Sequence, residues 1–278
     1  MPVPPLTEEV VSAPVDVPAL RAWLVAHAVD GVETTTVEPG GSIHRRSVGD
    51  GWLEVVLPGS GAPVLRSGGP GAAGALMAGR RWLGLDLDPA PGVAALADDP
   101  VLGALVRARP HVRVPGAPDP FAAAVNVVLG QHVSLAAGRV FATRLAALLA
   151  VEPMALAAAD PDELQRAVGV TGARARTLLA LGAAVAGGLS LEAEPDPALR
   201  TARRAELLAL PGVGPWTADL VMMRCLRDPD VFLPGDLVLR KALGGVPARE
   251  AARLAEAWAP HRSLAVVHLW THHALDPR

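Results

Sequence analysis

Lysine is almost missing from this chain of 278 residues: Lys241 stands alone beside 24 arginines. Chemistry that runs through a lysine amine therefore has a single candidate. Tyrosine is absent and phenylalanine occurs three times, so six tryptophans carry most of an aromatic share of only 3%. One cysteine, Cys225, leaves no partner for an internal disulfide and excludes a four-cysteine metal or iron–sulfur site. A basic surplus is also lacking. The formal net charge is −3, whereas a nucleic-acid binder more often carries positive charge to displace phosphate counterions. No apolar run approaches the ~20 residues of a membrane span, and the first residues, Met1-Pro2-Val3-Pro4-Pro5, are not a charged segment followed by an apolar core. A cytoplasmic protein with no membrane partner is expected.

What is present is apolar. A hydrophobic share of 51% excludes a disordered chain and suffices for one large or two ordinary domains. Leu20, Trp23, Leu24 and Val29 recur at helical spacing over Asp16 to Val29. Val32 to Val37, Ser42 to Val48 and Trp52 to Leu57 read as short strands between Gly-Pro and Gly-Asp turns. A further helix is expected from about Ala72 to Leu83. Beyond Asp88 the chain turns to Ala- and Leu-rich stretches at helical spacing, interrupted by Asp- and Pro-containing segments that read as helix starts. The expected fold is α+β, with a small antiparallel sheet and helices over 1–86 and an all-helical region over 87–278.

Within the helical region, Leu210-Pro211-Gly212-Val213-Gly214-Pro215-Trp216-Thr217-Ala218 has the composition of a tight hairpin that opens a helix running to about Arg227. Glycine permits positive φ and close approach, and Pro215 suits the first helical turn, where its missing N–H costs nothing. The N–H groups at such a helix start form a phosphate site without any basic side chain. Arg200, Arg203 and Arg204, just before the hairpin, would add a local positive face. Downstream, Pro234-Gly235-Asp236 precedes another short helix pattern. On local grounds Asp236 is a helix N-cap, one of the commonest uses of aspartate.

Together these segments resemble the helix-hairpin-helix DNA glycosylase superfamily, and more closely the bacterial DNA-3-methyladenine glycosylase II family. Val128 to Ser134, Leu210 to Ala218, Val231 to Asp236 and His268-Leu269-Trp270 carry the match, and Trp23 to Glu33 resembles the family's N-terminal domain. The resemblance implies a hairpin motif over about 200–227 and Asp236 as the catalytic carboxylate; the cap and the catalytic role are compatible, because a helix start stabilises negative charge. Trp216, Trp270 and Trp23 match aromatic positions of the family's base pocket, with Gln131 and Leu220 beside them. Gly212, Val213, Gly214, Thr217 and His132 match DNA-contacting positions, His132 standing where the family usually has an apolar wedge. A monovalent cation on the backbone carbonyls of Leu208, Leu210 and Val213 is implied, with no other cofactor and no iron–sulfur cluster. The implied activity is monofunctional hydrolytic excision of alkylated purines from duplex DNA, by a monomer.

The chain departs from the family pattern at three places. Leu220 and Thr271 replace aromatic positions, which implies a pocket that is roomier or less electron-rich, and Gly235 stands where a second aspartate can precede the catalytic one. Three other readings compete. A glycosylase with lyase activity needs a lysine where this chain has Trp216. A non-catalytic helix-hairpin-helix DNA-binding module would not need Asp236 at this spacing. Gly69 to Gly74 matches a dinucleotide fingerprint, yet no parallel strand and acidic residue follow, so a loop before a helix is expected. His268 and His272, four apart, lack a third ligand for zinc.

Overall fold

The structure, a computed structural model, describes residues 6–275 and has the expected α+β architecture. In chain order the first elements are β1 (Thr7–Val10), α1 (Val17–His27), β2 (Glu33–Glu38), β3 (Gly41–Val48), β4 (Gly51–Pro58), β5 (Val64–Gly68), α2 (Ala72–Trp82), α3 (Ala90–Leu96) and α4 (Gly103–Ala108). Next come α5 (Pro120–Leu129), α6 (Leu135–Leu148), α7 (Pro153–Ala157), α8 (Pro161–Val168), α9 (Gly172–Ala186), α10 (Pro197–Leu208) and α11 (Pro215–Arg224). The last are α12 (Leu237–Ala242), α13 (Ala248–Ala255) and α14 (Arg262–Leu275). The chain divides into two compact units: residues up to 26, 34–118 and from 229 onward form one, and residues 27–33 and 119–228 the other. Strands end at Gly68, but the sheet's unit continues well past residue 86, because residues beyond it are tied back by hydrogen bonds. Arg113 donates to the carbonyls of Pro14, Gly84 and Leu87, and Arg109 pairs with Asp16 at 3.1 Å.

In the first unit the strands lie in the order β1-β5-β4-β3-β2, with antiparallel pairing of β1 with β5, β5 with β4 and β4 with β3. Alternate residues Leu53, Val55 and Leu57 of β4 and Leu65 of β5 are buried with Leu20 and Leu24 of α1 and Ala75 and Trp82 of α2. Each such leucine contributes about 2–3 kcal/mol relative to exposure. Gly79 sets how closely α2 approaches the sheet, since a Cβ there would lie 2.7 Å from Leu53 Cδ1. β1 and β5 were not foreseen in the sequence. Both are short, and β1 is an edge strand whose Glu8 and Glu9 hide any alternation; its register comes from β5.

The second unit is built from α5 to α11. Its helix starts follow the Asp-Pro logic: Asp119, Asp160 and Asp196 cap α5, α8 and α10 with a side-chain oxygen, each followed by proline at the first helical position. α5 packs against α6, α9 and α11, and α10 against α11 across the hairpin.

Candidate active site and hairpin

Asp236 lies in the first unit, half-buried, with its backbone N–H bonded to the Leu233 carbonyl at 2.9 Å. Its side chain accepts the Leu239 N–H at 2.9 Å and so caps α12, as local sequence implied. The loop leading to it is anchored to the start of α14. Arg262 holds both Asp230 oxygens at 2.7 Å, and the Val231 N–H donates to Ser263 Oγ at 3.0 Å. Phe232 and Leu233 are buried, the former edge-on to Trp258 at 5.6 Å between ring centroids. The carboxylate is thus fixed from both sides of its turn.

Trp270, on α14, donates its indole N–H to Asp236 Oδ1 at 3.4 Å. Trp23, on α1, stacks on Trp270 with centroids 5.8 Å apart and planes 28° apart. The structure therefore brings Asp236, Trp270 and Trp23 together as one cluster, although 247 positions separate the two tryptophans in sequence. Both rings are half-buried.

In the second unit, α10 and α11 are joined by the Leu210 to Gly214 turn. Gly212 has φ +79°, and a Cβ there would lie 2.0 Å from Thr177 Oγ1. Only glycine fits. Gly214 has φ −94° and caps α11 in extended geometry, so positive φ is needed at one of the two glycines. The Val213 N–H closes the turn onto the Leu210 carbonyl at 3.1 Å, which leaves the N–H groups of Gly212, Gly214 and Thr217 without an internal partner among the described residues. Gln131 Nε2 donates to the Gly212 carbonyl at 3.0 Å and to Thr217 Oγ1 at 2.8 Å. Thr217 is buried. His132, next to Gln131, is exposed and has φ +54°.

Trp216 is half-buried in the first turn of α11 and Leu220 half-buried one turn on. The α11 helix ends at Arg224, three residues early, because Arg227 takes a left-handed φ of +62°. The arginines before the hairpin do not form a free positive face. Arg204 pairs with Asp219 at 2.5 Å, Arg203 with Glu206 at 2.9 Å, and Arg200 donates to the carbonyls of Glu194 and Pro195. Gly69 to Gly71 is the turn between β5 and α2, tucked against Asp50 and Gly51, and Gly74 already lies in the first turn of α2. His268 is buried in α14, its Nε2 has no hydrogen-bond partner among the described residues, and burial pulls its pKa down to about 4. No group of three or more His, Cys, Asp or Glu side chains able to hold a metal is found among the described residues. Cys225 is buried, donates to the Pro120 carbonyl at 3.3 Å and has its pKa pushed up to about 12 by burial, which leaves it inert. No helix among the described residues is long and apolar enough to cross a membrane.

Residues 10–119 match the AlkA N-terminal domain model. A Mycobacterium tuberculosis protein described as a probable bifunctional transcriptional activator/DNA repair enzyme AlkA is 41% identical over 213 residues, which are 69% of this chain and 41% of the relative. DNA-3-methyladenine glycosylase 2 of Escherichia coli is 35% identical over 184 residues, 61% of this chain and 63% of the relative. By these matches the chain is similar to proteins of the DNA-3-methyladenine glycosylase II family, and residues 10–119 carry the AlkA N-terminal domain. The chain spans about two fifths of the length of the mycobacterial relative. In fold, a 3-methyladenine DNA glycosylase from Archaeoglobus fulgidus superposes with a TM-score of 0.75 at 16% identity, covering 97% of this chain and 98% of the other.

Sequence reasoning missed the supports of the site. Arg262 with Asp230 and Ser263 with Val231 fix the Asp236 loop, and Thr177 walls the hairpin. Nothing in their local sequence marks them, since each acts across a long sequence separation.

Proposed function

We propose that this protein is a monofunctional DNA glycosylase that flips alkylated purines such as 3-methyladenine and 7-methylguanine out of duplex DNA and hydrolyses their bond to deoxyribose. The observation that carries the reading is the cluster of Asp236, Trp270 and Trp23: a fixed carboxylate beside stacked indoles. As the bond from C1′ to the base nitrogen breaks, its electron pair leaves with the base and positive charge builds on the sugar. Asp236 stabilises that charge and orients the water whose oxygen bonds to C1′ and whose proton passes to solvent. An alkylated purine already carries positive charge, so it departs without a general acid. Indole faces attract such a cation and stack on it. Flipping costs a few kcal/mol, least where pairing is already weak.

The hairpin grips a backbone phosphate through the N–H groups of Gly212, Gly214 and Thr217 at the start of α11, and His132 enters the gap left by the flipped nucleotide. Leu208 ends α10, where helix carbonyls lack an internal partner, and the Leu210 carbonyl keeps a second lone pair beside its bond from Val213. With Val213 these oxygens suit a hard monovalent cation, which would stiffen the hairpin. The relatives' names, which describe DNA repair and 3-methyladenine excision, support the same reading. A cytoplasmic monomer acting on the chromosome fits it.

The test is to incubate the protein with methylated duplex DNA and separate the released bases. Free 3-methyladenine and 7-methylguanine above the spontaneous rate are expected. Tight DNA binding with no base release would favour the non-catalytic module instead.

A further inference from the structure

Gln131 is held by its backbone carbonyl as well as by its side chain. Arg174, in the first turn of α9, donates a guanidinium N–H to the Gln131 backbone carbonyl. One turn on, Thr177 of the same helix walls Gly212 of the hairpin and is itself tied to the Ala173 carbonyl at 3.1 Å. α9 therefore braces the 130–134 loop with one residue and the hairpin with another, while the Gln131 amide bridges the two directly.

The carbonyl that Arg174 holds belongs to the peptide plane just before His132. Fixing that plane fixes one side of the His132 φ torsion, and His132 sits at φ +54°, a left-handed value that a non-glycine residue keeps only when its surroundings impose it. Arg174 pays for this position. Its Nε is buried with no partner among the described residues, burial lowers its pKa from the ordinary arginine value, and its guanidinium carbon lies 5.8 Å from the Phe141 ring centroid. Stability alone does not favour burying an unmet N–H.

From this arrangement we infer that Arg174 is a positioning residue that sets His132 in its protruding conformation and registers the duplex-probing loop to the phosphate-gripping hairpin. The inference rests on the glycosylase reading for its substrate. Its role is in opening a base pair, not in breaking the glycosidic bond, so its loss falls on paired lesions.

The experiment compares single-turnover excision of 7-methylguanine opposite cytosine with the same lesion opposite a tetrahydrofuran abasic-site analogue, where less stacking and pairing must be undone. Arg174→Met is expected to slow the paired substrate by about tenfold or more and the unpaired one by less than about threefold, with thermal melting unchanged. Arg174→Lys restores part of the paired rate, because an ammonium can reach the same carbonyl. A second readout needs no turnover: 2-aminopurine opposite the abasic analogue changes its emission when the loop enters the gap, and at saturating Arg174→Met that change shrinks. Equal slowing of both substrates, or no slowing, together with an unaltered 2-aminopurine signal, overturns the role of Arg174. Wild-type protein that excises neither substrate overturns the glycosylase reading instead, and the 2-aminopurine comparison then decides on Arg174 by itself.

Discussion

The indole N–H of Trp270 reaches the same Asp236 oxygen, at 3.4 Å, that accepts the Leu239 backbone N–H at 2.9 Å. Two donors from different helices converge on one carboxylate oxygen, so the group is held against rotation and against exchange of its two oxygens. Such fixed charge is what stabilises a developing cation without reorganisation at the moment of reaction.

Asp236→Asn keeps an oxygen for both donors and removes the charge. The fold and the DNA affinity are expected to persist, while single-turnover excision falls by about 10²- to 10³-fold. Base release from methylated duplex measures the rate, and full activity in the variant would remove Asp236 from the mechanism.

Trp270→Phe separates the two tasks of that indole. The ring against Trp23 stays, the N–H to the Asp236 carboxylate goes, and one hydrogen bond to a charged group corresponds to a loss of about tenfold or more. Trp270→Ala also removes the stacking surface, at about 1–3 kcal/mol, and is expected to lose correspondingly more. Equal rates for the two variants would mean that the ring surface is idle.

Much of this was legible in the sequence, and the reason lies in locality. The α11 start, the Asp236 cap and the Asp-Pro helix starts are encoded within a few residues, so propensity and capping rules reach them. The pairing of Trp23 with Trp270 is not local: it came from family resemblance, and periodicity alone left Trp23 as an ordinary core position. Arg200, Arg203 and Arg204 look like a cationic face in sequence. Arg203 meets Glu206 within α10 and Arg200 meets carbonyls just before it, but the Asp219 partner of Arg204 becomes visible only once α10 packs on α11.

The two hairpin glycines should respond differently to alanine. Gly212→Ala forces a Cβ against Thr177 Oγ1 at φ +79°, whereas the Gly214 site is open and has an ordinary φ of −94°. Backbone strain of about 1–3 kcal/mol at Gly212 is expected to weaken binding to duplex DNA by more than about tenfold, and Gly214→Ala by less than about threefold. Titration of a labelled duplex decides it; matching losses would mean that the turn relaxes freely.

The protein is expected to leave an intact abasic site. The family resemblance sets Trp216 where a lyase would need its amine, and Lys241 sits near the end of α12, exposed. Borohydride added during turnover should trap no covalent protein–DNA adduct. An adduct with the wild type that vanishes in Lys241→Ala would reassign the class.

Burial of His268 gives the first unit a pH dependence with a definite sign. Desolvation outweighs the attraction of Asp16 and lowers the pKa of His268 from 6.5 to about 4. Above pH 6.5 the imidazole is neutral in both folded and unfolded chains and contributes no slope. Between 6.5 and 4 the unfolded chain takes up a proton that the folded chain refuses, so stability falls as the pH falls, by about 2 kcal/mol at pH 5 for this one group. His268→Leu removes both the titration and a buried nitrogen without a partner, so it is expected to cost little at pH 7 and to gain about 2 kcal/mol on the wild type between pH 7 and pH 5. His44, whose pKa is also lowered to about 4 by burial and by Arg21, keeps a residual slope in both proteins. Urea unfolding at the two pH values measures the difference. Parallel losses in wild type and variant would show that His268 does not hold its neutral form in the folded chain.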